Sequence, residues 1–99
     1  MKITFLVCTE VYAPRILDLL DSCAIDYYTR WEQVKGKGHG TEPHLGTRSF
    51  PGMNVMFMIA FEQEAALDAL VKAVTGANEH ILRQDDRIRM FQVPLEKIV

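Results

Sequence analysis

Seven consecutive residues, Val55-Met56-Phe57-Met58-Ile59-Ala60-Phe61, carry no polar side chain. The run is far too short to cross a bilayer as a helix, which takes about 20 apolar residues. Its β-branched and aromatic content suits a strand, and successive side chains of a strand point to opposite faces. A half-buried strand alternates apolar and polar residues, whereas this one is apolar on both faces. A sheet that contains it needs cover on each side. Residues 2–9 repeat the demand, with Ile3, Phe5 and Val7 facing one way and Leu6 and Cys8 the other.

The rest of the chain supplies cover for one side. Residues 2–9 read as the first strand. Pro14 fits the first turn of a helix, where its missing N–H costs nothing. Ile16, Leu17, Leu19, Leu20 and Cys23 form that helix's apolar face, with Asp18 and Asp21 opposite. Residues 26–35 make a more polar second strand and 53–62 the third. Glu62 and Glu64 suit the positive end of a second helix. It is expected to bury Leu67, Leu70, Val71 and Val74, with Gly76 as a stop and His80-Ile81-Leu82 either extending the helix or packing beneath a polar turn at 83–86. The last strand is 88–93, ended by Pro94.

The order is β-α-β-β-α-β, an α+β ferredoxin-like domain spanning residues 1–99. Both helices of such a fold lie on one side of the sheet. The other side would show a contiguous Met and Phe patch, which soluble monomers avoid. Identical subunits are the simplest cover. A loop folding back as a lid is the alternative.

That loop is distinctive. Residues 36–52 hold five of the six glycines, two of the four prolines and two of the three histidines, which suits neither helix nor strand. A connection of this length in so small a domain is more often functional than accidental. The net charge of −2 argues against general nucleic-acid binding. Glu10 interrupts the N-terminal apolar stretch and no small-residue cleavage site follows it. These features predict a cytoplasmic chain without direct membrane insertion. Cys8 and Cys23 read as buried free thiols. No nucleophile–base constellation is visible, so the chain does not read as an enzyme.

At Gln33-Val34-Lys35-Gly36-Lys37-Gly38 the sequence resembles the P-II family, in which a strand ending in Val-Lys-Gly-x-Gly feeds a long loop. Chain length, element order and a last strand ending in Val93-Pro94-Leu95-Glu96 agree, so the resemblance covers nearly the whole chain. Residues 31–38, followed by Pro43-His44-Leu45-Gly46-Thr47 and Pro51-Gly52, resemble a divergent branch associated with heavy-metal efflux systems. The resemblance implies a homotrimer with ligand clefts between subunits. It also implies an effector such as ATP or ADP and a loop that contacts a membrane transporter.

The sequence departs from the family before its last strand. Family members carry a glycine-rich basic loop there, which cradles nucleotide phosphates. Residues 75–87 keep one glycine and add the acids Glu79, Asp85 and Asp86. Arg87 and Arg89 remain as phosphate partners, since a guanidinium binds phosphate bidentately. Residues 36–52 hold no tyrosine at the family's modification site, and residues 95–99 are not expected to supply the family's basic tail.

The candidate ligand residues are thus Gly36, Lys37, Gly38, His39, Arg87 and Arg89, with Gly36-Lys37-Gly38 read as a short backbone nest for an anion or as a hinge. His44, Arg48 and Phe50 are candidate partner contacts on the loop. His39, Glu42 and His44 are also candidate ligands for a divalent metal. That alternative would make the chain a metal-tolerance protein akin to the copper-tolerance trimers that share this fold. Trp31, Tyr27 and Tyr28 are expected on the second strand, packing across a subunit interface. His80 reads as a cap or a solvated group.

Overall fold

The two strands that sequence marks as apolar on both faces lie side by side at the centre of the sheet. The structure, a computed structural model, describes residues 1–40, 42–49 and 51–99. Four strands, β1 (Lys2–Thr9), β2 (Thr29–Val34), β3 (Asn54–Phe61) and β4 (Arg89–Pro94), run antiparallel in the order β2-β3-β1-β4. β1 and β3 pair along their whole length, from Lys2 opposite Phe61 to Thr9 opposite Asn54. Helices α1 (Ala13–Ser22) and α2 (Glu64–Glu79) cover one face. Among the described residues no helix is long and apolar enough to cross a membrane.

The core forms where these faces meet. Leu6 and Cys8 of β1 and Val55, Phe57, Ile59 and Phe61 of β3 pack with Ile16 and Leu20 of α1 and Leu67, Leu70 and Val74 of α2. Thr4 is the polar member of this face, and its Oγ1 donates to the Ile59 carbonyl at 3.2 Å. A buried hydroxyl thus keeps a partner. Cys8 is a free thiol within this layer, while the free thiol of Cys23 is only half-buried.

Several boundaries differ from the sequence expectation, each for a local reason. β2 begins at Thr29, so Tyr27 and Tyr28 precede the strand. They pack on rings of the same chain, Tyr27 against Phe61 at 6.2 Å and Tyr28 against Phe57 at 5.4 Å. Helix α2 passes through Gly76 and ends at Glu79, with His80 as its C-cap. Continuing the helix puts Asn78 where its side chain bonds both the N–H and the C=O of Ile88, each at 2.8 Å. That clamp fixes the start of β4 against α2. Val71 is 40% exposed, and Ala77 takes the buried position further along the helix.

Gly76 therefore carries a helix-interior cost with no compensating contact, since nothing lies within 4 Å of where its Cβ would be. Gly76→Ala is expected to raise stability by about 0.5–1 kcal/mol. Urea denaturation at fixed chain concentration reads this as a higher midpoint with an unchanged slope.

The face of the sheet away from the helices is apolar and open. Trp31, Met56, Val7 and Arg89 form one row across it, and Thr29, Met58, Phe5 and Phe91 the next. Ala60, Ile3 and Val93 form the third. Trp31, Phe91 and Val93 stay 41, 50 and 46% exposed, so the described part of the loop does not act as a lid over this face.

Candidate ligand cleft

The loop leaves β2 through a bulge. Its register with β3 shifts between Trp31 and Val34, and Gln33 adopts a left-handed φ of 58°. A bulge bends the strand and strengthens its twist, which turns the chain toward the end of β1. The loop then closes on itself. Gly36 and His44 exchange two backbone hydrogen bonds of 2.7 Å, and Gly46 N–H donates to Gly52 O at 3.0 Å. The described part of the loop forms no helix or strand, as expected, but it carries this isolated antiparallel bridge.

Two glycines closely approach side chains that would have to shift to admit a Cβ. A Cβ on Gly36 would sit 2.8 Å from Asn54 Nδ2. A Cβ on Gly46, which has a φ of +64°, would collide with the Met53 side chain. Asn54 also holds the loop from below, with His44 Nδ1 and Asn54 Oδ1 2.6 Å apart. The amide oxygen can only accept, so Nδ1 carries the proton. His44, read from sequence as a partner contact, is half-buried and anchors the loop base.

Between this base and the turn before β4 lies an open cleft of about 200 Å³. Gly36, Lys37, Gly38, Arg87 and Arg89 all line it. Residues from the second and fourth strand ends thus meet in one place. His39 does not line the cleft and is exposed, as is Arg48. Phe50 lies outside the described residues.

The glycines serve differently from the expected nest. Neither Gly36 nor Gly38 has the left-handed φ of an αR–αL nest, and the Gly36 N–H is already committed to His44 O. Positive charge in the cleft comes instead from the three side chains Lys37, Arg87 and Arg89. Arg87 is oriented by its Nε–H, which donates to the Ile81 carbonyl at 3.4 Å.

Two acids, Glu42 and Asp85, also line the cleft. Arg83 offsets them, at 2.9 Å from Glu42, 3.8 Å from Asp85 and 3.9 Å from Asp86. The hydrogen bond to Glu42 and the charge of Asp86 raise the Arg83 pKa further above its ordinary value. Cys8 reaches the cleft wall, but burial pushes its thiol up to about 12, against a smaller lowering by Arg30. It is a neutral wall group at pH 7, not a nucleophile.

The proposed metal set is not assembled. Glu42 is paired with Arg83, His44 with Asn54, and His39 is exposed. Among the described residues no group of three or more His, Cys, Asp or Glu is placed to hold a metal ion.

Asn54, Val7 and Phe91 form a wall of the cleft that was not among the residues expected from the sequence. Asn54 had a signal, since it is the one polar residue heading a run of seven apolar ones. Val7 and Phe91 read only as strand residues. Both belong to the open apolar face, so the cleft opens at that face's margin.

No protein-family model matches the sequence, and neither does any curated protein. Solved structures do. CPII from Thiomonas intermedia K12, bound to ADP and bicarbonate, aligns with a TM-score of 0.69 at 17% identity, covering 93% of this chain and 84% of that one. The same nitrogen regulatory PII-like protein bound to ADP, AMP and bicarbonate gives 0.67 at 18% identity, with the same coverage. The chain has a P-II-like fold. The apo form of CPII aligns at 0.62 and 15% identity, over 93% of this chain and 87% of that one. The ligands are those of CPII; what is shared at these identities is the P-II-like fold. Within it the long loop and the turn before β4 face each other across the cleft.

Proposed function

We propose that the chain is an oligomeric regulatory protein that binds an adenine nucleotide in this cleft and signals through residues 37–52. The observation that carries the reading is the meeting of Lys37, Arg87 and Arg89 in one cleft at the margin of an unpartnered apolar face. Three cations beside an apolar wall suit a ligand with phosphates and a flat apolar ring. CPII, which shares the fold, holds ADP in two of the structures compared above.

The cleft is small for such a ligand. Sites for small molecules usually enclose roughly 300–1,000 Å³, and this one offers about 200 Å³ in a single chain. A second copy docked on the apolar face would supply the remaining wall. A homotrimer, as the P-II resemblance implies, places three such sites between subunits. The protein is then a regulator rather than a catalyst. A membrane transport system, such as a metal efflux pump, is the proposed partner of the loop, where Arg48 is exposed.

Isothermal titration with ADP and ATP tests the reading. Wild type is expected to bind. Arg87→Ala is expected to weaken binding by about tenfold or more, the value of a charge-assisted hydrogen bond, and Arg87→Lys by less. Equal affinity for wild type and Arg87→Ala would remove Arg87 from the site.

A further inference from the structure

The loop is tied to the cleft wall at a second place, beyond its base. Glu42 donates its backbone N–H to Asp85 Oδ2 at 3.1 Å, and its carboxylate accepts from Arg83 Nη2 at 2.9 Å. Both partners sit in the turn before β4, which continues into Arg87. One loop residue therefore holds the outer loop against the turn and places a negative charge in a cleft whose cations are Lys37, Arg87 and Arg89. That carboxylate carries the sign of the ligand the cations would attract. Its pair with Arg83 is exposed on both sides, at 62 and 53%. Exposed ion pairs are weak and easily exchanged. Once freed, Arg83 still has Asp85 and Asp86 beside it.

We propose that Glu42 is an autoinhibitory latch, which holds the outer loop closed on the cleft until a phosphate-bearing ligand displaces its carboxylate and releases the loop. The inference rests on the anion-binding reading of the cleft given above. Ligand occupancy then changes the loop without a change in the sheet, because the base of the loop is held separately by Gly36, His44 and Asn54. Binding and signalling share one residue. Energetically, the ligand acts by removing a contact present only in the closed state.

Two readouts on the whole 99-residue chain separate this from a merely structural ion pair. The first is the rate of tryptic cleavage after Arg48, with and without pyrophosphate at constant ionic strength. The second is ADP affinity. Glu42→Gln keeps the shape and the backbone bond to Asp85 but removes the charge. It is expected to speed cleavage and to tighten ADP binding about two- to fivefold. Arg83→Gln also breaks the pair, so cleavage speeds up, but it leaves Glu42 and Asp85 less compensated and ADP binding weakens. Pyrophosphate should accelerate cleavage of wild type and add little in either variant. A structural pair would move both variants the same way in both readouts. Equal cleavage rates in wild type and both variants would overturn the latch, as would a wild-type rate indifferent to pyrophosphate. If pyrophosphate releases the loop while ADP does not bind, the latch stands and the adenine-nucleotide reading fails.

Discussion

Phe57→Ala is expected to lower the unfolding free energy by about 3–5 kcal/mol, the usual cost of truncating a fully buried aromatic residue. Phe57 has no exposed surface and lies at the middle of β3, opposite Leu6 of β1 and Arg30 of β2. The Tyr28 ring and the Arg30 guanidinium both lie 5.4 Å from its ring. Removing it opens a cavity between sheet and helices and takes the support from both neighbours at once. A domain of this size has only about 5–15 kcal/mol in total, so the variant should unfold at much lower urea. The comparison needs equal chain concentrations, since assembly adds to apparent stability. A loss below about 1 kcal/mol would mean that the packing around Phe57 is not as described.

The adjacent residue should fail in a different way. Met58 points to the opposite face, between Thr29 and Phe5 in the central row of the open apolar surface. Met58→Glu is expected to leave a folded chain, because the position is not fully buried in the single subunit. It should abolish assembly, since a carboxylate at the centre of an apolar contact loses its hydration without gaining a partner. Sedimentation velocity should show a monomer with an unchanged far-ultraviolet spectrum. ADP binding should fall with assembly, as the cleft loses its second wall. Met58→Leu should keep both. A Met58→Glu protein that still assembles would place the interface elsewhere.

This contrast between neighbours was legible in the sequence, because period-2 alternation assigns Phe57 and Met58 to opposite faces and both are apolar. The order of elements and the single helix-covered face follow from the same pattern, which also makes the second face apolar. The meeting of Gly36-Lys37-Gly38 with Arg87 and Arg89 came from the P-II resemblance, and the geometry gathers those residues in one cleft. What sequence could not show was how the loop is held. The bridge from Gly36 to His44 and the pairing of Glu42 with Arg83 join residues whose proximity no local pattern encodes. His39, Glu42 and His44 looked like a metal set because they are neighbours in sequence. In the fold, the side chains of Glu42 and His44 turn to different partners. Gly76 misled for a similar reason, since the Asn78 clamp on Ile88 overrides a weak local stop signal.

In the proposed assembly the open apolar face is the subunit interface, and the ligand cleft is completed across it. Size-exclusion chromatography with light scattering on the wild-type protein, at low micromolar concentration, tests this most directly. A single species of three times the 11.3 kDa chain mass is expected. A clean monomer at the same concentration would contradict it.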